Sequence, residues 1–114
     1  MPAHHVLIIE DDLMLSEMER DLLVRAGHEV TVLANLLDAY RNETWVGIDV
    51  ALVDLWLPPP MKGADVMTFL AKNFPSIRRV LVTADDEAPQ AIHDLANVVL
   101  IKPYTGPLLI QAIE

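Results

Sequence analysis

The chain is 114 residues long and 53% hydrophobic, which suits one buried core and excludes an intrinsically disordered segment. Eight basic against 17 acidic residues leave a net charge of −9. That balance repels phosphate backbones and anionic lipid, so direct nucleic-acid or membrane binding is not expected. Cysteine is absent, which excludes disulfides, thiolate zinc sites and thiol nucleophiles together.

No apolar run approaches the ~20 residues of a bilayer span. The N-terminus lacks the basic, apolar, small-residue order of a secretory signal. A soluble, cytoplasmic, acidic domain is expected, single over residues 1–114. In chain order, Val6 to Ile9 reads as a β-branched strand, and Leu15, Met18, Leu22 and Leu23 recur at helical spacing up to Gly27, placed as a C-terminal cap. A second strand runs from about Val30 to Leu33, and Asn35 caps a helix carrying Leu36, Leu37, Ala39 and Tyr40 that fades near residues 42–44. Val50 to Val53 is a third strand; Met67, Leu70, Ala71 and Phe74 mark a helix stopped by Pro75. A fourth strand at Val80 to Val82, a short helix at Ala88 to Ala96, a fifth strand at Val98 to Ile101 and a last helix with Leu108, Leu109, Ala112 and Ile113 complete the chain.

Strands that are apolar throughout are buried on both faces, and the helices joining them cross over right-handedly. The pattern predicts an α/β three-layer sandwich around a five-stranded parallel sheet. In such sheets ligands sit outside the carboxyl ends of the strands. Those ends carry Glu10, Asp11 and Asp12 on strand one, Asp54 on strand three, Thr83 on strand four, and Lys102 with Pro103 on strand five. Carboxylates brought together repel unless a cation neutralises them. An all-oxygen donor set favours a hard ion, and Mg²⁺ fits best. Lys102 then reads as a point charge for a second anion such as a phosphoryl group.

The strings Val6-Leu7-Ile8-Ile9-Glu10-Asp11-Asp12, Ala51-Leu52-Val53-Asp54-Leu55-Trp56-Leu57-Pro58, Val82-Thr83-Ala84 and Ile101-Lys102-Pro103-Tyr104 together resemble a two-component response-regulator receiver domain. Each motif is weak alone; the four in order, each ending a predicted strand, make a strong signal. The resemblance covers nearly the whole chain and implies the flavodoxin-like strand order 2-1-3-4-5. It implies Asp54 as phosphoacceptor, fed by a histidine kinase or histidine phosphotransfer protein. Glu10, Asp11, Asp54 and the backbone carbonyl of Trp56 would hold Mg²⁺, with Mn²⁺ as a substitute. Thr83 and Lys102 would contact the phosphoryl group, and Lys102–Pro103 would be a cis peptide. Trp56 and Asp85 occupy the slots where the family tunes phosphoryl lifetime, and Trp56 is expected to shield the acyl phosphate from water. Such a receiver phosphorylates and dephosphorylates itself without being a classified enzyme. If the chain is complete, it signals to a downstream protein by contact or relays phosphate, with a homodimer left open.

Three places depart from the family pattern. Asp54 to Gly63 spans nine positions where eight are usual, with Pro58, Pro59 and Pro60 filling the gap, so a bulged, stiff loop is expected. Thr83 to Lys102 spans 19 positions, about three short, which shortens the fourth helix. Val99 stands where the family usually has its aromatic switch residue. These departures keep a second reading open: a pseudo-receiver, with the same fold but no phosphorylation-driven switch. A phosphatase with an aspartate nucleophile is disfavoured, because Trp56 fills the second position of its Asp-x-Asp motif. Structural roles are expected for several other residues. Asp12 caps the first helix, His4 and His5 form a disordered terminus, and His28 and His93 are exposed. Met14, Met18, Met61 and Met67 fill helix core or loops.

Overall fold

The computed structural model describes residues 3–84 and 89–114. In chain order its elements are β1 (His5–Ile9), α1 (Leu13–Arg25), β2 (Glu29–Val32), two 3-10 segments (Leu36–Tyr40 and Asn42–Trp45), β3 (Val50–Asp54), α2 (Gly63–Asn73), β4 (Arg78–Thr83), α3 (Gln90–His93), β5 (Val98–Ile101) and α4 (Gly106–Ile113). All strand pairs are parallel, and the sheet order is β2-β1-β3-β4-β5. This is the predicted flavodoxin-like α/β sandwich. No helix among the described residues is long and apolar enough to cross a membrane.

The period-2 alternation of side chains along a strand sorts the apolar residues into two cores. Leu7, Ile9, Ala51, Val53 and Leu81 face one way and pack with Val66, Met67 and Leu70 of α2. Val6, Ile8, Val50, Leu52, Val80 and Val82 face the other way and pack with Leu23 of α1 and Leu109, Ala112 and Ile113 of α4. Both faces are therefore dry, which is why β1 and β3 read as unbroken apolar runs. The edge strand β2 alternates exposed with half-buried residues instead.

Helix α1 begins as expected: the Asp12 side chain accepts the Leu15 N–H at 3.2 Å. The helix predicted after Asn35 is replaced by the two 3-10 segments. Asn35 does cap the first, accepting the Leu37 N–H at 3.1 Å. Side chains then take the carbonyls that a longer helix would use. The Thr44 hydroxyl donates to Asp38 O at 2.6 Å and the buried Trp45 indole N–H to Ala39 O at 2.8 Å. Gly47, at φ +78°, turns the chain toward β3.

The predicted Ala88–Ala96 helix is described only from Gln90 to His93, and Ala88 lies outside the described residues. The Arg79 side chain donates to Leu95 O at 2.7 Å, and the Asn97 carboxamide accepts the Arg79 N–H at 2.7 Å. These bonds fasten the short connection directly to the start of β4.

The histidine expectations are corrected. His5 opens β1, and its N–H donates to Asp49 Oδ2 at 2.9 Å. His28 is buried because Gly27, at φ +97°, folds the chain back against the start of β1. There the His28 Nδ1 accepts the His4 N–H at 3.0 Å and the two rings stack. His93 is half-buried. Met61 and Met67 are buried as expected, but Met14 and Met18 are exposed, since only Ser16, Glu19 and Leu23 of α1 turn fully inward.

Candidate functional site

Glu10, Asp54 and Lys102 continue the parity of Ile8, Leu52 and Leu100, all three of which lie in the core shared with α1 and α4. Alternation therefore carries groups from three strands to one side of the sheet's carboxyl edge. The carboxylates of Glu10, Asp11 and Asp54 place one oxygen each within 4.8 Å of one another. Glu10 and Asp54 are buried and Asp11 is exposed. The Lys102 ammonium stands 3.1 Å from Asp54 Oδ2 and 3.4 Å from Glu10 Oε1.

Three carboxylates facing one ammonium leave the pocket short of positive charge. Burial, then the hydrogen bond and charge shared with Asp54, push the Glu10 carboxyl up to about 8. Burial pulls Lys102 down, but Asp54 and Glu10 outweigh it and hold the ammonium above the ordinary lysine range. A small divalent cation answers this imbalance. The donors are all hard oxygens, one carboxylate faces solvent, and Mg²⁺ takes one or two carboxylates while keeping waters. The residues present fit such an ion.

The neighbouring backbone fixes Asp54 further. The Trp56 N–H donates to Asp54 Oδ1 at 3.0 Å, and the Asp12 N–H to Glu10 Oε2 at 3.3 Å. The Trp56 ring itself is 64% exposed. Leu55, Leu57 and Met61 bury their side chains while Pro58, Pro59 and Pro60 stay outside. Pro59–Pro60 and Lys102–Pro103 are both cis.

Thr83 ends β4 fully buried, and its carbonyl accepts the Lys102 N–H at 2.8 Å. Val99 is half-buried against the α2 core. Asp85 lies outside the described residues.

Two polar residues here were given no role from the sequence, Tyr104 entering only as the last residue of the lysine–proline string. Glu19, in the middle of α1, is 1% exposed, and the Tyr104 hydroxyl donates to its Oε2. The signal was present: Glu19 lies four residues from both Leu15 and Leu23, on the inward stripe of the helix.

Comparison with known proteins agrees with this geometry. The family model for the response regulator receiver domain matches residues 6–114. The chain is 28% identical over 107 residues to the transcription factor SKN7 of Candida albicans, covering 91% of this chain and 19% of that protein. It thus spans about a fifth of that relative's length. It is 24% identical over 113 residues to the chemotaxis protein CheY of Thermotoga maritima, covering 96% of this chain and 93% of CheY. The crystal structure of the response regulator protein TrrA from T. maritima, in complex with Mg²⁺-BeF, superposes with a TM-score of 0.86 at 18% identity, covering 96% of each chain.

Proposed function

The chain belongs to the response regulator receiver domain family, and from that premise we propose that it is a phosphoacceptor which takes a phosphoryl group onto Asp54 from a phosphohistidine of a kinase or phosphotransfer protein. The observation that carries this reading is the convergence of Glu10, Asp11 and Asp54 within 4.8 Å, with Lys102 3.1 Å from Asp54. An Asp54 carboxylate oxygen attacks phosphorus, an O–P bond forms, the N–P bond breaks and the histidine nitrogen leaves with the electron pair. Glu10, Asp11, Asp54 and the Trp56 carbonyl would hold Mg²⁺, which would supply charge neutralisation for the phosphoryl oxygens.

Lys102 balances one phosphoryl oxygen, and Thr83, the last residue of β4, contacts another. Phosphorylation adds about −1.5 to −2 charges at neutral pH. In a pocket that already holds three carboxylates, that change biases the adjoining surface, which a downstream protein then reads. The same fold accommodates Mg²⁺-BeF in TrrA, which supports the assignment of the ion.

Incubation with Mg²⁺ and acetyl phosphate should add one phosphoryl mass, and Asp54→Ala should abolish the gain. The short α3 and Val99 favour the pseudo-receiver reading. That reading prevails if the parent chain gains no mass from either small donors or kinases.

A further inference from the structure

Glu19 is expensive where it stands. It is 1% exposed, its Oε1 has no hydrogen-bond partner among the described residues, and burial pushes its carboxyl up to about 7, with Tyr104 and Lys102 pulling the other way. A half-satisfied buried carboxylate costs stability that an apolar side chain of similar size would not. Folding alone therefore does not explain the Glu19–Tyr104 bond.

Its position offers an explanation. Tyr104 sits two residues beyond Lys102, on the turn between β5 and α4, while Glu19 belongs to the helix whose first turn adjoins Glu10 and Asp11. A cleft of about 530 Å3, lined by Leu15, Met18, Ala84, Lys102, Pro103 and Tyr104, opens beside that turn. Packing on this side is incomplete: Leu22 of α1 packs close to Gly106 at the start of α4, but the cleft opens at the Lys102 end of the turn. The Lys102 N–H bond to Thr83 O fastens the backbone to β4, but it does not tie the turn to α1.

We propose that Glu19 and Tyr104 form a buried carboxylate–hydroxyl tie that positions the Lys102 ammonium against Asp54, which makes them positioning residues of this site. Its consequence for catalysis rests on the reading of Lys102 as a phosphoryl contact. The tie fixes the turn to α1 and so to the acid pair at the head of that helix. The ammonium is then pre-set for the arriving phosphoryl group and does not have to be recruited from the cleft.

The test compares the parent with Tyr104→Phe, Glu19→Gln and the double variant Glu19→Leu/Tyr104→Phe. The double variant replaces the pair by apolar groups and keeps the fold, as checked by thermal unfolding. Crystal structures should show Lys102 withdrawn beyond hydrogen-bond distance of Asp54 in Tyr104→Phe and in the double variant. Phosphorylation by acetyl phosphate should slow at least fivefold in both, with Mg²⁺ binding no weaker than in the parent.

Glu19→Gln keeps an acceptor for the hydroxyl and should retain the parental rate. A double variant that keeps both the Lys102–Asp54 contact and the parental rate overturns the proposal. A parent that takes no phosphate, while the contact is still lost in the variants, overturns the phosphoacceptor reading and leaves the tie standing.

Discussion

Gly63 rests directly on the backbone of Asp54. A β carbon at Gly63 would collide with the Asp54 carbonyl oxygen and lie 2.6 Å from Leu55 Cα. The Gly63 N–H also donates to Leu55 O at 3.1 Å, so the first residue of α2 is clamped to the end of β3. Gly63→Ala forces the two apart and should cost about 1–3 kcal/mol, the usual price of overpacking. Urea unfolding measures the loss, and phosphoryl uptake should fall with it because Asp54 is displaced.

Lys102→Ala should separate two properties that intuition couples. The ammonium repels a divalent cation bound among the same carboxylates, by about 2 kcal/mol at ~4 Å in a water-like dielectric and by more in a drier one. Its removal should therefore tighten Mg²⁺ severalfold, as read by calorimetry. Phosphorylation by acetyl phosphate should slow more than tenfold in the same variant, because the ammonium that offsets the phosphoryl charge is gone. Weaker Mg²⁺ binding would show that Lys102 does not share the metal's pocket.

Proton and metal should compete at Glu10. Its carboxyl stands at about 8 in the fold against a reference of 4.5, through burial first and Asp54 second. A group raised in this way contributes folding stability below about pH 4.5 and loses it as the pH climbs through about 8. The metal-free protein should therefore lose stability across that window. Mg²⁺ affinity should rise across the same window, with proton release at pH 7. Calorimetry in two buffers of different ionisation enthalpy counts the proton, and Glu10→Gln should abolish its release.

Trp56 holds Asp54 through its backbone N–H, so substitution leaves that bond in place while removing the ring. Trp56→Asn should shorten the life of the acyl phosphate severalfold by admitting water to it. Loss of label from purified phosphoprotein gives the rate. An unchanged rate would mean that the exposed indole does not cover the site.

The sequence by itself determined the sheet. Unbroken apolar runs such as Val50 to Val53 have only one stable setting, between two apolar layers, and each ends in a polar residue at the edge where ligands bind. Glu10, Asp11, Asp54 and Lys102 were therefore legible as groups at the carboxyl edge, because strand ends and parity are encoded in local pattern, while the strand order came from the family resemblance. The second helix was misread because its outcome depended on contacts within a compact turn, where Thr44 and Trp45 take the carbonyls that a longer helix needs. His28 looked like a surface residue until the turn at Gly27 brought it against His4.

Only the tertiary structure decided the partnership of Glu19 with Tyr104, 85 residues apart, and the contact of Lys102 with both Glu10 and Asp54. Burial and charge pairing are properties of the assembled fold. A carboxylate on a helix stripe carries no sign of the hydroxyl that will meet it until α1 and the β5–α4 turn are packed together.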